Sequence, residues 1–179
     1  MHFFKKLNQT HPNTDGSSIG NPGMAGAGGL LHDSSGIWIS GFSLNMVIAT
    51  NNVAELAAVR QGLLLAWELG FKFIQFEIDF VTVLSWLSNI NYTYPPNVMS
   101  LICDCRSLME KAWEVQARHI YCEADGCAEA LAKRGIHQQH LLSIYTTCPS
   151  FVYHCLVRDL AGLKSNRLYA RRLDNDAVV

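Results

Sequence analysis

Long apolar runs are missing from these 179 residues. None approaches the ~20 residues that a membrane-spanning helix needs, so no membrane partner is expected. Charge is scarce too: 16% of residues are charged, 49% are apolar, and the formal net charge is -1. A chain that held nucleic acid by overall charge would be strongly basic. Any grip on a phosphate backbone must therefore be local, metal-assisted or helped by a partner. The six cysteines (Cys103, Cys105, Cys122, Cys127, Cys148, Cys155) form no C-x-x-C pair and no zinc spacing. They read as reduced, buried thiols of an intracellular protein, nuclear or cytoplasmic. The stretch MHFFKKLNQT has no long apolar region and no small-residue cleavage site, so it does not read as a secretory signal. Repeats and low-complexity tracts are absent, and one monomeric domain of ordinary size is expected.

What is present is a regular alternation of extended and helical patterns. Ala27 to His32 and Ile37 to Asn45 read as extended segments joined by the turn DSSG. Asn51 to Leu69 is apolar around most of its circumference and reads as a buried helix stopped by Gly70. Lys72 to Asp79 alternates as a strand, and FVTVLSWLSNI then looks helical. Val98 to Ala112 reads as a helix, Trp113 to Tyr121 as a strand, and Ala124 to Gly135 as a helix ending on its glycine. A mixed sheet flanked by helices follows.

Four acids stand out, each with a structural alternative. Asp15 precedes a glycine, which is common turn chemistry. Glu55 falls three residues after Asn52 at a helix start, the spacing of a capping box. Asp79 closes a strand before a helix, where an N-cap also belongs, and Glu77 is a decoy two residues earlier. Glu129 has a helical position that solvent-facing glutamates often occupy. Taken jointly, oxygen donors at element edges suit a hard cation such as Mg2+. The glycine-rich stretch after Asp15 lacks the Gly-Lys-Ser/Thr of a phosphate-binding loop, which argues against a small-nucleotide binder.

The segments NTDGSSIGNPGMAGAGGLLHDSSGIWISGFS, NNVAELAAVRQGLLLAWELG, EIDF and WEVQARHIYCEADGCAEALAKRG resemble, in order, the plant ribonuclease H-like domain family, akin to the domains of non-LTR retroelements. CPSFVYHCLVRDLAG resembles that family's tail. The resemblance implies an α/β ribonuclease H-like fold with a five-stranded mixed sheet over residues 13–138. Residues 1–12 would be an irregular lead-in, and 139–179 an extension that packs on the domain before fraying. It further implies hydrolysis of the RNA strand of RNA–DNA hybrids with two Mg2+ ions, Mn2+ being a possible substitute. Asp15, Glu55, Asp79 and Glu129 match the metal ligands, and His119 matches a histidine that assists product departure or proton traffic. Thr50, Asn51 and Asn52 match residues that meet the hybrid, with Gly16 and Ser17 beside them. The small residues after Asp15 would let the backbone approach the hybrid.

Four departures from the family pattern bear on activity. Glu129 replaces an aspartate and is one methylene longer. Phe80 replaces a serine after Asp79. Asp125 and Gly126 replace Asn-Arg. The approach to Asp15 is polar and contains Pro12, which suggests a first strand interrupted between Phe3, Phe4, Leu7 and Asp15, since proline removes a ladder hydrogen bond. They motivate a rival expectation: a catalytically degenerate module that binds nucleic acid or a protein partner without turnover.

Overall fold

The protein is described by a computed structural model covering residues 9–78, 81–89, 91–119 and 126–161. The expected fraying tail from residue 162 and the lead-in of residues 1–8 lie outside these residues. Six strands form a single sheet in the order β5-β4-β1-β2-β3-β6. They are β1 (Gln9–Gly20), β2 (Gly23–His32), β3 (Trp38–Ala49), β4 (Phe73–Ile78), β5 (Glu114–His119) and β6 (Leu142–Tyr145). The helices are α1 (Asn51–Glu68), α2 (Val81–Ser88), α3 (Met99–Met109, entered through a 3-10 turn at Pro96–Val98), α4 (Gly126–His137) and α5 (Ser150–Leu160). No helix among the described residues is long and apolar enough to cross a membrane.

β1, β2 and β3 are antiparallel neighbours, whereas β4 and β5 join β1 in parallel. The sheet is therefore mixed, with the change of sense at β1. Side chains alternate across it. Ala27 packs with Ala57 and Ala58 of α1, while the neighbouring Gly28 lies against Leu131 and Ala132 of α4. The two helices thus cover opposite faces. On the α1 side the main core joins Leu56, Val59 and Leu63 to Phe76, Ile78, Trp86 and Ile102. On the α4 side Leu30, Cys127, Ala128 and Leu131 close around Val152 of α5, so the helix after β6 packs back on the sheet.

Three expectations are corrected. The sheet has six strands, not five. β6 adds antiparallel to the outer edge of β3, Gly41 to Leu44 pairing with Tyr145 to Leu142. Four residues without flanking glycine or proline merged with the apolar tail in the sequence. Pro12 does not interrupt the first strand: β1 is continuous from Gln9. Its register with β4 pairs Thr10 with Ile74 and Asn13 with Glu77 and skips His11 and Pro12, so the missing donor falls in a gap of the ladder. Gly135 does not end its helix, which runs on to His137. A Cβ there would lie 2.4 Å from the Leu44 carbonyl oxygen, so its small size serves close packing on β3.

α1 ends as its glycine suggests. Gly70 is left-handed (φ 80). Its N–H donates to the Trp67 carbonyl at 2.9 Å, and that of Phe71 to Ala66 at 3.2 Å, the paired bonds of a Schellman cap.

Candidate active site

Asp15 lies in the middle of β1, paired with Gly28 and only 8% exposed. It is a strand residue, so turn chemistry does not account for it. Among the described residues, pairing of β1 with β4 runs to Asn13 and Glu77, and pairing with β2 to Gly20. The described parts of β4 and β5 run alongside as far as the pair Ile78 and His119, and carboxyl ends of parallel strands are where α/β sheets build sites. Asp79 lies outside the described residues. Glu77 shares a face with Asn13 and therefore with Asp15.

Glu55 reaches the same neighbourhood from α1. It is 7% exposed, and a Cβ on Gly16 would stand 2.2 Å from its backbone nitrogen. Helix and strand therefore touch backbone to backbone at the residue next to Asp15. The capping-box alternative fails: Thr50 is the N-cap, its hydroxyl accepting from the Val53 N–H at 3.4 Å, which puts Glu55 too far into the helix to cap it. Asn51 is held differently. Its N–H donates to Oδ1 of Asn21 at 3.2 Å, while the Ser18 hydroxyl donates to the Ala49 carbonyl at 3.0 Å. The β1–β2 turn is thereby tied to the start of α1, bringing Gly16, Ser17, Thr50, Asn51 and Asn52 to one end of the molecule.

Glu129 comes from the other face. It occupies the first turn of α4, where the positive helix end favours a carboxylate. Two residues on, Leu131 and Ala132 press on Gly28, the partner of Asp15; a Cβ there would be 2.1 Å from the Ala132 nitrogen. One helical turn therefore separates Glu129 from the point above Asp15. Its carboxylate is 2.6 Å from Nζ of Lys133, with the two side chains 20% and 61% exposed. A fully solvent-facing glutamate is thus not what the fold contains.

Buried neighbouring carboxylates are unfavourable without countercharge or hydrogen bonds, and an all-oxygen donor set matches a hard divalent ion. Asp15 and Glu55 are buried carboxylates of that donor type. Among the described residues, no three His, Cys, Asp or Glu side chains form a group able to hold a metal; Asp79 falls outside that set. Sequence reasoning missed Lys133 and Asn21. The Glu-x-x-x-Lys spacing could have flagged the first, and nothing local flags the second. Gly16 and Gly28 are covered by helices, so their small size lets α1 and α4 reach the sheet. Cys103, Cys105, Cys127, Cys148 and Cys155 are all free thiols. Burial pushes the Cys105 thiol up to about 12, partly offset by Arg60 and reinforced by Asp104.

The architecture is that of a ribonuclease H-like domain. The structure of RNase H1 from the halophilic archaeon Halobacterium salinarum is similar, with TM-score 0.67, 28% identity, and coverage of 72% of this chain and 97% of that one. LC11-RNase H1, solved in complex with RNA/DNA hybrid, shares the fold at TM-score 0.66 and 23% identity, over 71% and 96% of the two chains. A provisionally named ribonuclease H protein of Arabidopsis thaliana is 40% identical over 121 residues, which are 67% of this chain and 19% of that relative's length. Residues 13–135 match the reverse transcriptase-like family model. The chain belongs to that family, as a ribonuclease H-like domain of the plant type.

Proposed function

We propose that this domain is a metal-dependent endonuclease of ribonuclease H type that hydrolyses the RNA strand of RNA–DNA hybrids. The observation that supports the reading is the backbone contact of β1 with α1 at Gly16, which joins the residue next to buried Asp15 to buried Glu55. Asp15, Glu55, Asp79 and Glu129 would hold two Mg2+ ions, with Mn2+ as a substitute. When bound, such a pair activates water and stabilises the leaving oxygen of a phosphodiester.

The chain's own residues perform the remaining tasks. The contact of strand and helix backbone at Gly16 supports Asp15 and Glu55 being held in place before substrate arrives. Thr50, Asn51 and Asn52, braced by Asn21, present polar groups beside Gly16 and Ser17 for a DNA phosphate and for the 2′-hydroxyls that distinguish RNA in a shallow minor groove. His119 assists product departure or proton traffic from the end of β5. Hydrolysis leaves 5′-phosphate and 3′-hydroxyl ends. Incubation with a labelled RNA–DNA hybrid and Mg2+ tests the proposal; no cleavage above an Asp15→Asn control rejects it.

Binding without turnover is the second reading. The ion pair between Glu129 and Lys133 favours it, because a carboxylate engaged along its own helix is less available to a metal. Mg2+-independent hybrid binding with no cleavage would support this alternative.

A further inference from the structure

We propose that Lys133 is a built-in counter-ion that holds Glu129 along helix α4 and sets how readily a divalent ion captures that carboxylate. The inference rests on the reading of Glu129 as a metal ligand. Its basis is geometric. The ammonium is 2.6 Å from the Glu129 carboxylate, and the pair runs i to i+4 with the glutamate first, the favoured orientation on a helix. The extra methylene of glutamate over aspartate gives the reach for this bond. The same carboxylate lies within one turn of the α4 contact on Gly28, the strand partner of Asp15. Lys133 therefore neutralises one member of the acidic group when no ion is present, and its departure accompanies ion binding.

The exposures of the two side chains set the size of the effect. At 61% exposed, the lysine head can swing into water at little cost. An exposed helical pair changes an equilibrium by only about twofold. Repulsion between the ammonium and a divalent ion a few ångströms away adds a several-fold term in water. Removing Lys133 should therefore lower the metal concentration for half-saturation by roughly three- to tenfold. The shift should shrink as ionic strength rises from about 0.01 M to 1 M, where the screening length falls from ~30 Å to ~3 Å.

The test is Mn2+ binding followed by electron paramagnetic resonance, with thermal melting measured with and without metal. The proteins are wild type, Lys133→Met, Lys133→Arg, Glu129→Asp, the Glu129→Asp/Lys133→Met double variant and Asp15→Asn. Lys133→Met should bind Mn2+ at lower concentration and show a larger metal-induced rise in melting temperature, while Lys133→Arg should behave as wild type. With the shorter Asp at 129 the Lys133→Met change should lose its about twofold ion-pair part and keep the several-fold repulsion part, a coupling that a merely structural lysine would not give. An unchanged or weakened Mn2+ midpoint in Lys133→Met overturns the inference alone, provided that Asp15→Asn abolishes uptake. Wild-type protein that takes up no Mn2+, or uptake indifferent to Asp15→Asn, overturns the site reading and this inference together.

Discussion

Replacing Gly16 by alanine tests the proposed site where it is most sharply defined. The new Cβ would stand 2.2 Å from the Glu55 nitrogen, 2.4 Å from the Ala54 carbonyl carbon and 2.8 Å from the Glu55 Cα. All three are backbone atoms, so no rotamer change relieves the clash. Ordinary contact begins near 3.4 Å; strand and helix must therefore part by about 1.2 Å beside Asp15 and at Glu55. Overpacking of this kind costs about 1–3 kcal/mol. Misplacement by ~1 Å costs on the order of a hundredfold in rate, so activity should fall further than stability implies. Gly70→Ala is the control. It meets nothing within 4 Å but forces alanine to φ 80, costing about 1–2 kcal/mol at the far end of α1. Urea denaturation and hybrid cleavage should show both variants destabilised and only Gly16→Ala catalytically impaired. Wild-type turnover by folded Gly16→Ala, or equal losses in both variants, would refute the reasoning.

Glu129→Asp shortens the side chain and weakens its bond to Lys133, so hybrid cleavage should rise about tenfold or more by the same sensitivity to placement; a fall in initial rate would count against Glu129 as a poorly placed ligand. Thr50→Ala removes the hydroxyl that caps α1 and should cost about 1 kcal/mol in urea denaturation, together with weaker hybrid binding in a filter assay. Thr14 buries a hydroxyl that has no hydrogen-bond partner among the described residues, so Thr14→Val should leave stability unchanged or raise it by about 1 kcal/mol, read as the urea midpoint. Cys105 is protonated in the fold up to about pH 12, whereas an unfolded thiol ionises near ~8.5. Unfolding therefore releases a proton between those values, and stability should fall with rising pH by up to ~1.4 kcal/mol per unit, a slope that Cys105→Ala should remove in denaturation curves from pH 8 upward.

Much of this domain could be read locally. The periodicity of α1, its glycine stop and the alternation of β4 arise from short-range geometry, and the structure contains them within a residue or two. Pro12 misled because a proline rule speaks of one ladder, and only the pairing of β1 with both neighbours reveals which hydrogen bond is dispensable. β6 was illegible for a related reason: four residues become a strand when β3 offers them an edge. The cap at Thr50 was displaced by two positions because Asn52 has the same capping chemistry, and the backbone decides which of them is extended.

By itself the chain settled most of its element types and named the acids worth testing, because helical and strand periods and cap chemistry are properties of neighbours in sequence. Tertiary structure decided that β1 and α1 touch backbone to backbone at Gly16, beside Asp15 and at Glu55, that Glu129 comes from α4 on the opposite face, and that Lys133 engages it there. Those relations depend on how two helices lie against a sheet. Glycines with no side chain let them lie in backbone contact with it.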